Sequence, residues 1–146
     1  ALLARDEGVA TILQDVRQPG AVLSDPLLRK LIDFSEPVGL LSVAVLHFVG
    51  HDLAPEIMSQ YRKLLVPGSY LAISAASFEG MSLSAVREVE AIYSASNAGL
   101  VFRTRPQIEQ LFEGFELLSP GLSLVTRWRV DGEGGEGATC GMGRKF

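Results

Sequence analysis

The 146-residue sequence contains one cysteine, Cys140. No intrachain disulfide can form, which fits a reducing compartment. Clustered basic charge is missing too: 13 Lys and Arg are set against 17 Asp and Glu, for a net charge of -4. Nothing in that balance favours neutralising nucleic-acid phosphates. The longest apolar run, around Val38 to Val49, falls short of the roughly 20 residues a transmembrane helix needs. No basic start followed by an apolar middle marks a signal peptide. The two histidines, His47 and His51, fall in a turn and lack the carboxylate spacing of a metal site, so no metal is expected. The expectation is a soluble, cytoplasmic protein whose partner is a small molecule or another protein, with no nucleic acid and no membrane.

Apolar residues make up 47% of the chain and charged residues 21%, close to the globular average, so one packed domain is expected. Val38 to Ser74 is the organising stretch. Val38 to Val45 is apolar at both parities, as in a strand covered by helices on both faces, with Ser42 its one polar interruption. Ile57, Met58, Tyr61, Leu64 and Leu65 form one helical stripe between about Pro55 and Leu65. Pro67-Gly68 turns the chain into a second strand, Tyr70 to Ser74. The segment is a βαβ unit of a parallel sheet, and such sheets bind ligands beyond the carboxyl ends of their strands.

The flanking elements follow the same logic. Val9 to Val16 reads as a strand broken by Gln18-Pro19-Gly20. Asp25-Pro26 starts a helix with an apolar stripe through Leu27, Leu28, Leu31, Ile32 and Phe34. Leu83 to Tyr93 suggests a further helix, closed by Asn97-Ala98-Gly99. Thr104-Arg105-Pro106-Gln107 is a capping box opening a short helix with Ile108, Leu111, Phe112 and Phe115 on one stripe. Strands are expected at Phe115 to Ser119, Leu122 to Val130 and Ala138 to Phe146, the last as the return arm of an antiparallel hairpin across an acidic loop, Asp131 to Gly137. Ala1 to Arg5 reads as the tail of a helix stopped by Gly8, so the sequence is expected to start mid-fold.

Three stretches carry a resemblance: VLHFVGHD from Val45, RKLLVPGSYLAIS from Arg62, and the closing hairpin. With them the chain resembles the class I S-adenosylmethionine-dependent methyltransferases. The longer runs DVRQPGAVLSDPLLRKLIDFSEPVGLLSVAVLHFV and FRTRPQIEQLFEGFELLSPGLSLVTRWR are similar to the actinobacterial "S-adenosyl methyltransferase" family. The resemblance implies an α/β fold: a Rossmann-like methyltransferase sheet, mostly parallel with an antiparallel C-terminal hairpin. It implies S-adenosylmethionine as cofactor. It also implies two earlier strands, with a glycine-rich turn and a ribose-binding acid, and neither is present here. Residues 1-146 are therefore expected to be the C-terminal portion of a single domain lacking its first two strands. A missing N-terminal segment of the same protein would complete the sheet.

The same resemblance assigns cofactor-binding roles to Asp15, Val16, Ala44, Val45, Leu46 and His47. Asp15 would accept from the adenine amino group and the Val16 N–H would donate to a ring nitrogen. Read alone, Asp15 is a strand-terminating Asp that binds its own turn. Ala44, Val45 and Leu46 offer apolar packing and strand-end carbonyls, and Leu46 equally suits a core. His47 is either a general base towards a substrate hydroxyl, the candidate catalytic residue, or a hydrogen-bonded structural histidine. Asp52 is expected to help cap the following helix. Arg103, Arg105, Arg127 and Arg129 read as solvated charge on alternating strand positions, with binding of an acidic group as the other reading. Cys140 reads as a small buried residue.

Three functions compete. The first is methyl transfer from S-adenosylmethionine to a small-molecule acceptor, a reaction that rests on positioning and needs no dense catalytic motif. The second, a nicotinamide-dependent short-chain dehydrogenase, needs a Tyr followed four residues later by Lys. Tyr61, Tyr70 and Tyr93 are followed at that distance by Leu65, Ser74 and Asn97, so it fails. The third is a degenerate methyltransferase-like protein that binds a ligand or partner without turnover.

Overall fold

The structure is a computed structural model that describes residues 8–94, 99–130 and 135–146. The expected helix tail at Ala1 to Arg5, most of the Asn97-Ala98-Gly99 stop and much of the Asp131 to Gly137 loop lie outside those residues. Pro19 opens a short helix, α1 (Pro19–Ser24). The Gln18-Pro19-Gly20 break thus also starts an element, because proline presets the backbone for a first helical position. Asp25 then caps α2 (Pro26–Leu31), its carboxylate accepting the Leu27 N–H at 2.9 Å.

The organising stretch forms as read. Strand β1 (Gly39–Val43) leads through a 3-10 turn (Leu46–Phe48) into helix α3 (Leu53–Leu64) and strand β2 (Tyr70–Ala76). The two strands pair in parallel, from Gly39 opposite Tyr70 to Val43 opposite Ser74. Helix α4 (Leu83–Ser94) follows, then α5 (Arg105–Gln110) behind its capping box. There Gln107 Oε1 accepts the Thr104 N–H at 2.8 Å. The chain closes with β3 (Phe115–Leu117), β4 (Ser123–Leu124) and β5 (Ala138–Lys145).

Strand order is β1-β2-β5-β3, with β4 also pairing with β5. The α/β architecture with an antiparallel closing strand is the expected one. The parallel pairing within it is β1 with β2, and the ladders of β5 with β2, β3 and β4 are antiparallel. One sheet face carries the core. Leu71, Ile73 and Ala75 of β2 pack with Ile57 and Met58 of α3 and with Ile108, Leu111 and Phe112 around α5. Burying such side chains contributes roughly 1.5–3 kcal/mol each, and that binds both helices to the sheet.

Several expectations are corrected. Val9 to Val16 forms no strand, and Leu13 is 99% exposed. A strand exists only where its N–H and C=O groups meet a neighbouring strand, and this segment pairs with none among the described residues. Among the described residues, helices on both faces of the Val38 to Val45 strand are not found. Leu41 and Val43 on its second face are 70% and 60% exposed, and Ser42, the polar interruption, is the buried residue. Leu122 to Val130 is strand only at Ser123–Leu124; a 3-10 turn (Val125–Arg127) and a left-handed Arg129 at φ 53 bend it away. Asp52 makes no side-chain cap, and the Ala54 N–H donates to the Gly50 carbonyl instead. Cys140 is half-buried, because it lies on the sheet face opposite the core.

Candidate functional site

The site lies where β1 ends. After Val43 the chain reverses at Ala44, whose φ of 56 is left-handed. An L residue with a Cβ is strained there. The Ala44 N–H donates to Ser74 Oγ on β2 at 3.0 Å, holding the reversal in place. Leu46 is fully buried and anchors the turn in the core, while Phe48 is 45% exposed. Ala44→Gly is expected to raise stability by about 1 kcal/mol by releasing the left-handed strain. Urea unfolding of the two proteins measures this, and a lower midpoint for the glycine variant would contradict the strain assignment.

A cavity of about 590 Å³ opens beside this turn. Ala44, Val45, Phe48 and Val49 line it from the turn, and Asp15, Val16 and Arg17 line it from the segment before α1; Gly99 completes the lining. Its volume suits a small-molecule ligand, for which roughly 300–1,000 Å³ is usual. Two segments far apart in sequence thus meet at the carboxyl end of a parallel strand.

Asp15 does what an isolated turn Asp does. Its Oδ1 accepts the Arg17 N–H at 2.9 Å, and Arg17 grips the carboxylate with Nε and Nη2 at 3.0 and 2.7 Å. Those contacts with Arg17 hold the Asp15 carboxyl below the usual carboxylate range. Asp15 is therefore ionised at neutral pH and an acceptor only. The neighbouring Val16 N–H has no acceptor among the described residues. An ionised acceptor beside a free donor, next to apolar Val45, Phe48 and Val49, fits the edge and faces of a planar nitrogen heterocycle such as adenine.

Leu46 and His47 are placed elsewhere. Neither lines the cavity. His47 Nδ1 accepts the Ala76 N–H at 2.8 Å. A backbone N–H is always the donor, so Nδ1 carries no proton and Nε2 does. Burial, and then the nearby Arg103 charge, pushes the His47 pKa down. At neutral pH the imidazole is a donor at Nε2, the wrong state for a general base acting there.

Arg103 is where sequence reasoning misses most. It is 1% exposed, not solvated. Its Nη1 and Nη2 donate to the Leu46 and Val49 carbonyls at 2.6 and 2.5 Å. No feature of the local sequence separates it from Arg105, which pairs with Glu79 and Glu109 at the surface. Arg129 donates to the Ser119 carbonyl. Arg17, Val49 and Gly99 are also absent from the sequence-based site. Arg17 had a signal, since an Arg two residues after an Asp in a turn lies within reach of its carboxylate.

Among the described residues no three His, Cys, Asp or Glu side chains gather as a metal site would need, and no helix is long and apolar enough to cross a membrane.

The fold, with its cavity at a strand end, is that of the Rossmann-like α/β proteins. The chain belongs to the S-adenosyl methyltransferase family, whose sequence model matches residues 1–145. S-adenosylmethionine is the cofactor of that family. Two solved structures are similar over most of the chain. A putative methyltransferase from Thermobifida fusca shares 32% identity with a TM-score of 0.89, over 99% of this chain and 56% of its own. A DUF574 family protein from Streptomyces avermitilis shares 31% identity with a TM-score of 0.86, over 92% of this chain and 54% of its own. The chain thus spans just over half the length of each. The magnesium protoporphyrin IX methyltransferase of Synechocystis, solved with bound SAH, shares the fold at 12% identity and a TM-score of 0.50, over 79% of this chain and 49% of its own. No curated protein matches the chain.

Proposed function

We propose that this chain forms the adenine-side half of the cofactor site in an S-adenosylmethionine-dependent methyltransferase that acts on a small-molecule acceptor. The observation that carries the reading is the cavity uniting Asp15 and Val16 with Ala44 and Val45. When bound, S-adenosylmethionine supplies a methyl group already activated on a sulfonium. Asp15 accepts from the adenine amino group, the Val16 N–H donates to the ring, and Val45 and Phe48 exclude water from its faces. Leu46 and His47 hold the turn from behind, Leu46 by burial and His47 through the Ala76 N–H. His47 thereby serves the site as a support and not as a base.

The rest of the site belongs, in this reading, to an N-terminal segment of the same protein that completes the sheet. The outer edge of β1, unpaired among the described residues, and the exposure of Leu13, Leu41 and Val43 support it. Free strand edges of this kind are normally covered.

Isothermal calorimetry of the full-length protein with S-adenosylhomocysteine tests the reading. Saturable binding is expected, and its absence would end the proposal. Asp15→Ala is expected to weaken binding about tenfold, the loss of one hydrogen bond to an ionised group. Unchanged affinity would remove the adenine role from Asp15.

A further inference from the structure

The guanidinium of Arg103 is buried, and no carboxylate lies within ion-pair distance among the described residues. Burying a charge that way is costly, and a neutral side chain would fill the space at less cost. What the guanidinium does is span a turn. The Leu46 carbonyl, at the start of the 3-10 turn, already accepts the Val49 N–H at 3.2 Å; the Val49 carbonyl lies just past its end, where a short helix leaves acceptors unsatisfied, and the planar fork of arginine reaches both.

The clamp is part of a closed set of hydrogen bonds. The Arg103 N–H donates to the Ala76 carbonyl at 2.9 Å, and the Ala76 N–H donates to His47 Nδ1 at 2.8 Å. The Val101 N–H donates to the His47 carbonyl at 2.7 Å, and the Phe78 N–H to the Arg103 carbonyl at 3.4 Å. Three segments are tied together: the turn, the end of β2, and the stretch from Gly99 to Arg103. Two of them, the turn and that stretch, line the cavity.

We propose that Arg103 is a positioning residue for the cofactor cavity, holding Phe48 and Val49 at its wall and locking the Gly99–Arg103 stretch to the same turn. The inference rests on the cofactor reading given above. Arg103 touches no ligand itself. It sets the separation of the Leu46 and Val49 carbonyls, and so the direction in which the intervening Phe48 ring projects.

The test compares Arg103→Met and Arg103→Lys with wild type, all full-length, by calorimetry with S-adenosylhomocysteine at a temperature where circular dichroism shows each to be folded. Methionine fills the space without donors, whereas lysine keeps the charge and reaches one carbonyl. Arg103→Met is expected to weaken binding about tenfold or more, with Arg103→Lys recovering part of the loss. A purely structural arginine would lower the melting temperature of both variants and leave the affinity of the folded protein unchanged. That outcome overturns the inference while the cofactor reading stands. Wild type that binds no S-adenosylhomocysteine overturns both. If Arg103→Met does not fold, hydrogen exchange on the wild type decides. Saturating S-adenosylhomocysteine should slow the Ala76 and Phe78 amides, which lie outside the cavity lining, and unchanged exchange there refutes the coupling.

Discussion

Gly143→Ala is expected to destabilise the protein by about 1–3 kcal/mol, the usual cost of overpacking. Alanine in place of a strand glycine normally does the opposite, gaining roughly 0.5–1 kcal/mol. The sign changes because Gly143 lies on the core face of β5, opposite Leu71. A Cβ there would meet Phe115 Cβ at 2.8 Å, Phe112 Cδ1 at 3.2 Å and the Glu116 carbonyl at 3.4 Å. Phe115 Cβ is fixed to the backbone of β3, which is paired with β5 at Leu117 opposite Gly143. It cannot swing aside as a side-chain tip would, so relief means shifting the ladder. Urea unfolding should show a lower midpoint with an unchanged slope. Equal or higher stability would mean that the aromatic pair is not seated as described.

His47→Leu is expected to cost about 1–3 kcal/mol, because the buried Ala76 N–H loses its acceptor. The penalty should depend on pH in a definite direction. The fold favours neutral imidazole and lowers its pKa, first through burial and then through repulsion by Arg103. The unfolded chain titrates near the ordinary histidine value of about 6.5. Above that value the contribution of His47 is complete. As pH falls through it towards the depressed folded value, the unfolded state binds more protons than the folded one, and the contribution shrinks. The gap in unfolding free energy between wild type and His47→Leu should therefore be larger at pH 7.5 than at pH 5. A gap that is equal at both, or that widens on acidification, would rule out a neutral, proton-accepting Nδ1.

The parts of the fold legible from sequence are those fixed by local rules. Ile57, Met58 and Leu65 announced the buried side of α3 by spacing alone. Thr104 and Gln107 announced the start of α5, and Pro67-Gly68 the turn into β2, where Gly68 adopts a φ of 88. What could not be read depends on neighbours. Val9 to Val16 has strand composition, but no residue in it says whether a partner strand lies alongside. Leu122 to Val130 has alternating character, yet Arg129 is left-handed and the ladder ends after two residues. The site divides in the same way. Asp15, Val16, Ala44 and Val45 were named through a family resemblance, and the structure gathers them around one cavity. Leu46 and His47 fall outside its lining. Arg103 stayed hidden because burial, not residue type, distinguishes it from the arginine two positions later.

The position of β5 has a consequence in time. It is encoded after every other described element, yet it lies between β2 and β3 and also pairs with β4. Its pairing with β2 joins residues as far apart as Tyr70 and Arg144. During synthesis β1, α3 and β2 emerge well before β5 and can form their parallel pair. One long edge of β2, with Leu71 and Ile73 beside it, then has no partner until residue 138 has left the ribosome. Until that moment the nascent chain carries an open, apolar strand edge, the kind of template on which chains pair wrongly. Folding of this sheet is therefore a late event that waits on one eight-residue strand, and chaperone protection matters most just before that strand appears.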